Sequence, residues 1–191
     1  MLYMHRLPWQ TTGYAAEIQY YTIPKCRELL EELLRQYNFY TFEQDPDWTN
    51  KQRNEYAQQA STAFQTFRTL FRDRVEFISQ KAAETHLSWS YENDGKDELL
   101  EKMVKWCEDF FEDFEKEDGA GYTRCEGTTM SELRSQIDPL TAPNHFADES
   151  SLWPLVQEVC VGIPSSRIFQ YITLVDLPGR YKWRSDDEVQ D

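Results

Sequence analysis

Tyr171-Ile-Thr-Leu-Val-Asp-Leu-Pro-Gly179 is an apolar run that breaks on Asp-x-x-Gly, and its reading decides the fold. Its first five residues have the β-branched and aromatic content of a strand, and Pro178 and Gly179 are strong turn formers that end it. Just upstream, Glu158-Val-Cys-Val-Gly-Ile163 reads as another strand, and Pro164-Ser-Ser-Arg167 turns the chain. Two strands joined by so short a link are expected to pair as an antiparallel hairpin, 158–163 against 168–175.

Working outward, Gly13 to Ile23 alternates well enough for a third strand. Tyr14, Ala16, Ile18 and Tyr20 point to a core, with Ala15, Glu17, Gln19 and Tyr21 opposite. Pro24 suits a first helical turn, and Leu29, Leu30, Leu33, Leu34 and Tyr37 recur at helical spacing, so a helix is expected from Pro24 to Tyr40. Asp45-Pro-Asp-Trp-Thr49 is a turn. After it, Tyr56, Ala60, Ala63, Phe64, Phe67, Leu70, Phe71, Val75 and Ile78 read as the core stripe of one long helix. Asn93-Asp-Gly95 interrupts the pattern. Leu99, Leu100, Met103, Val104, Cys107, Phe110, Phe111 and Phe114 mark a further helix, ended by Gly119-Ala-Gly121. Thr129-Met-Ser-Glu132 is a capping-box pattern for a short helix through Leu133 and Ile137. Residues 138–150 read as a loop, and 180–191 as a polar tail.

The chain has 191 residues, the length of one domain with a proper core. Twenty basic against 34 acidic residues give a net charge of −14. Nucleic acid and anionic membrane surfaces would be repelled, so no nucleic acid partner is expected. The acidity is concentrated: Glu92 to Asp118 holds 12 acidic residues and four lysines, a local net of −8. That run is the solvated face of a helix or a docking surface for a basic protein partner. Cys26, Cys107, Cys125 and Cys160 form no Cys-x-x-Cys pair, and His5, His86 and His145 are far apart, so no zinc site is indicated. No run approaches the roughly 20 apolar residues of a membrane span or the pattern of a signal peptide. An intracellular location, cytoplasmic or nuclear, is the reading.

With Leu152-Trp-Pro-Leu-Val156 before the hairpin and Leu174-Val-Asp-Leu-Pro-Gly179 closing it, the chain resembles the fungal dynamin-like large GTPases related to the nuclear GTPase SLIP-GC. Tyr14-Ala-Ala-Glu-Ile-Gln-Tyr20, followed at once by Glu28-Leu-Leu-Glu-Glu-Leu-Leu34, is similar to an early strand and helix of that family. The likeness covers residues of roughly 8–40 and 130–179, with a helical insert at about 41–128 between them. It implies an α+β, mostly helical fold: three to four amphipathic helices plus a small three-stranded sheet with a hairpin, an incomplete P-loop GTPase domain over 1–179. It also implies that Asp176 sits in the shell of Mg²⁺, through water, and that the Gly179 N–H reaches the γ-phosphate of GTP. On residues alone, Asp-Leu-Pro-Gly reads first as a plain turn, and only the family context favours the magnesium reading.

The departures weigh against activity. A phosphate-binding loop needs Gly-x-x-x-x-Gly-Lys-Ser/Thr, and none of the seven glycines is paired at that spacing. Asn50-Lys51 is followed by Gln52 and Arg53, so the guanine-reading Asn/Thr-Lys-x-Asp is missing as well. The expectation is a truncated or degenerate GTPase domain that neither binds nor hydrolyses GTP efficiently alone. Mg²⁺ and GTP would enter only if the missing part were supplied. The rival reading is an acidic helical module for protein contact or self-association, without nucleotide. The pairing of 158–163 with 170–175 is the structural condition on which the GTPase assignment depends.

Overall fold

Alternation along Tyr14–Tyr20 sends Ala16, Ile18 and Tyr20 to one face of a strand, and all three are fully buried. The computed structural model describes residues 2–4, 6–93, 95–112, 114–117, 120–141, 151–163 and 174–175. Within them the chain is a mostly helical α+β fold. The strands are β1 (Leu2–Met4), β2 (Tyr14–Tyr20), β3 (Glu115–Glu117), β4 (Ala120–Gly127), β5 (Val156–Gly162) and β6 (Leu174–Val175). The helices are α1 (Ile23–Phe42), α2 (Asn50–Leu70), α3 (Gln80–Glu92), α4 (Lys96–Phe110) and α5 (Met130–Thr141).

The sheet order is β3-β4-β2-β5-β1-β6. Its centre is an antiparallel trio of long strands, β4, β2 and β5, and three short strands extend it at the edges. Ile18 stands between Thr123 and Val159, and Ala16 between Cys125 and Val161. This face joins Cys26 and Leu30 of α1, Cys107 of α4, Phe111 and Leu133 and Ile137 of α5 in one core. The Tyr20 ring lies 5.6 Å from Phe111 and 5.2 Å from Phe114. Burial of these large side chains, at about 1.5–3 kcal/mol each, holds helices to sheet.

Four sequence expectations are corrected. The long helix stops at Leu70: Phe71 and Phe77 turn inward, fully buried, and residues 71–79 form turns closed by Arg74 N–H to Phe71 O and Phe77 N–H to Arg74 O. Val75 and Ile78, read as core, are 74% and 64% exposed. Glu115–Glu117 and Ala120–Gly127 pair as antiparallel strands instead of ending a helical insert, and β4 takes a central place beside β2. Helix α5 runs past Asp138 with Pro139 inside it.

The fourth concerns the hairpin. The described part of the second strand, Leu174–Val175, does not pair with β5. It pairs antiparallel with β1, Leu174 opposite Tyr3 and Val175 opposite Leu2. Strand β1 in turn pairs parallel with β5, Leu2 opposite Cys160. The N-terminal residues thus occupy the slot that the sequence reading assigned to the motif strand.

Local signals explain the helix starts. Thr49 and Gln52 form a reciprocal capping box at α2. At α5, Thr129 Oγ1 accepts from Glu132 N–H at 3.2 Å, and the Glu132 carboxylate accepts from the Thr128 N–H and hydroxyl.

Candidate functional site

Asp176 and Gly179, the predicted magnesium and phosphate residues, lie outside the described residues. Strand β6 brings the backbone to Val175, the residue before Asp176, at one edge of the sheet. Among the described residues no group of three or more His, Cys, Asp or Glu is placed to hold a metal ion. No helix among them is long and apolar enough to cross a membrane.

The feature that stands out is a groove of about 590 Å³ between the 71–79 turns and α3. Phe77 anchors the turn: its ring meets Phe71 at 5.7 Å and Trp106 of α4 at 6.1 Å. With Phe77 turned in, its neighbours Val75 and Ile78 are forced out. Ser79 then caps α3, accepting from Ala82 N–H at 3.1 Å. One face of α3 buries Ala83, Leu87 and Ser90 against the fold. The other presents Ala82, Thr85, His86 and Trp89, spaced i, i+3, i+4 and i+7, to the groove together with Val75. Trp89 is 57% exposed, which leaves most of a large indole in water.

Electrostatics shape the groove wall. Glu76 is paired with Lys102 of α4 at 2.5 Å, and the Lys102 ammonium lies 5.3 Å from the Trp106 ring. Burial pushes the Glu76 carboxyl up, but Lys102 and a backbone N–H outweigh it and hold it below the usual carboxylate value. Burial pushes His86 down, and Lys102 adds to this against the opposing pull of Glu76. The charged imidazolium of His86 is thus disfavoured, and its Nε2 is buried without a hydrogen-bond partner. Sequence reading placed Val75 in the core and did not single out Trp89. The signal was present, since Trp89 lies off the Ala83–Leu87–Ser90 stripe.

A polar cluster occupies the opposite face of the sheet. Glu17 accepts from Arg124 Nε at 2.8 Å and from Trp9 Nε1 at 3.0 Å, and the Arg124 guanidinium lies 5.0 Å from the Trp9 ring. Residues 6–13 lie across this face, pinned by Glu126, which accepts from Thr11 N–H, Thr11 hydroxyl and Thr12 N–H. These contacts are mutually satisfied and read as structural.

No protein-family model, curated protein or solved structure matches this chain. Over the described residues, fold and surface define an acidic, mostly helical α+β domain with a groove that exposes Val75 and Trp89.

Proposed function

We propose that this chain acts as an acidic protein-interaction module, independent of nucleotide, built on a degenerate dynamin-like GTPase domain. The observation that carries the working half is the groove: Val75 and Trp89 line it, and both are more than half exposed. Apolar residues gathered on one surface usually mark a contact site, whereas scattered ones need no explanation.

The ancestry half is supported by Leu174-Val-Asp-Leu-Pro-Gly179 and by a strand–helix unit, Tyr14 to Phe42, ahead of a helical block. Over the described residues the pairing on which the GTPase assignment depends is not met, because β1 lies between β5 and β6, so the ancestry rests on the motif and the strand–helix unit alone. Without Gly-x-x-x-x-Gly-Lys-Ser/Thr, the amides and lysine that hold phosphates are not in this sequence. The Asp176 carboxylate alone offers Mg²⁺ one ligand, too few for a tight site.

Thermal melting tests the reading. A ligand that binds only the folded state at 100 times its Kd stabilises by about 2.7 kcal/mol, a shift of several degrees. GTP with Mg²⁺ at millimolar concentration is expected to leave the melting temperature unchanged. A rise of several degrees that Asp176→Ala removes would overturn the nucleotide-independent reading in favour of a working GTPase site.

A further inference from the structure

We infer that α3 and the 71–79 turns form a self-association surface, on which α3 of a second copy of this chain packs antiparallel about a two-fold axis. The inference rests on the interaction-module reading and names the partner. Val75, Ile78 and Trp89 are the strongly exposed large apolar residues among the described ones, and they fall on one side of the molecule. Val75 and Trp89 line one surface with Ala82, Thr85 and His86, and Ile78 directly precedes Ser79 on it. That surface is shallow and open, so it encloses no small ligand, but it suits one helix face laid on another.

Size and charge both select a second copy. A two-fold axis crossing α3 between Thr85 and His86 sets the large Trp89 of each copy on the small Ala82 of the other, at both ends of the contact. Lys81 and Glu92 are both exposed and lie about three turns apart on the same edge of α3. The same axis brings Lys81 of each copy beside Glu92 of the other, giving two ion pairs that a parallel arrangement would not make. Elsewhere the net charge of −14 drives copies apart. Here Glu76 is held by Lys102, and Lys81 answers Glu92, so these four groups add no net charge to the contact. A face of this length is small against the roughly 1,600 Å² of a standard interface, so the dimer is weak and concentration-dependent.

Sedimentation velocity of the whole chain, from micromolar to near-millimolar concentration, tests it. The expected result is a reversible passage from monomer to dimer. Trp89→Ala should weaken the dimer at least about tenfold, as loss of an interface anchor does, with circular dichroism unchanged because the side chain is exposed. Lys81→Glu should weaken it about fivefold, since both exposed pairs turn repulsive. Combining Lys81→Glu with Glu92→Lys should restore it to within about twofold, because the two charges exchange across the axis. A chain that stays monomeric overturns the inference, as does a dimer that Trp89→Ala leaves intact. A dimer weakened by Lys81→Glu that Glu92→Lys does not restore overturns the antiparallel arrangement. The nucleotide-independent reading keeps its own test, since the response of the melting temperature to GTP does not depend on whether the chain dimerises.

Discussion

Arg124 stands directly opposite Glu17 in the β2–β4 ladder, its Nε 2.8 Å from a carboxylate that also accepts from the Trp9 indole. The cluster is about a third exposed, so the ion pair alone contributes no more than about 1 kcal/mol. Arg124→Ala should cost about 1 kcal/mol through the pair and the lost guanidinium–aromatic contact. Glu17→Ala releases Trp9 as well and should cost about 1–2 kcal/mol. Urea unfolding of the two variants checks the order; equal or reversed losses would mean that Trp9 is not held through Glu17.

Gly162 marks where residues 6–13 press on the sheet. A Cβ there would come 2.3 Å from Gln10 Oε1 and 3.1 Å from Leu7 N. Gln10 cannot swing aside freely, because its amide accepts from Leu7 N–H and donates to Thr12 O and Gly13 O. Gly162→Ala is therefore expected to destabilise by about 1–3 kcal/mol. Thermal melting reads it; a neutral result would show that the segment yields without loss.

The turn at 71–79 predicts a sharp contrast between neighbours. Phe77 is fully buried and packed on Phe71 and Trp106, so Phe77→Ala should cost about 3–5 kcal/mol. Ile78 is 64% exposed, and Ile78→Ser should stay within about 0.5 kcal/mol. Comparable losses at both positions would restore a helix through this stretch.

That stretch also shows what the sequence could and could not reveal. Leu30, Leu33, Leu34 and Tyr37 keep helical spacing and are buried, so α1 was legible nearly to the residue. Beyond Leu70 the spacing of Phe71, Val75 and Ile78 continues the same period by coincidence, and no Gly or Pro marks the break. The break comes from Phe71 and Phe77 both seeking the core, which is tertiary information. Ser79 as a helix cap was the readable hint. Strand β3 escaped notice because Glu-Lys-Glu has low strand propensity, and β1 because three residues carry no period. The β5–β6 expectation failed for the same reason: local signals say that two strands are joined by a turn, not that a third segment enters between them. As for the candidate site, Asp176 and Gly179 were legible as a motif, whereas the groove depends on packing that no local pattern encodes.

The thiols should be silent in the native protein. Cys26 and Cys107 are fully buried, and Cys107 is pushed far up, first by its contact with Cys26 and then by burial. Burial and Glu158 push Cys160 up to about 12. A thiol that holds its proton more tightly when folded contributes stability that is present below about pH 9 and is lost as pH rises towards about 12. Native protein at pH 8 is expected to react slowly with a thiol reagent, and all four cysteines quickly once unfolded. Fast labelling of Cys160 in the native state would contradict the raised value.

One labelled sample tests the nucleotide-independent reading most directly. Two-dimensional amide NMR of the whole chain would be recorded with and without GTP and Mg²⁺ at millimolar concentration. The predicted result is that GTP shifts no amide. GTP-dependent shifts at Leu174 and Val175 that Asp176→Ala removes would contradict it.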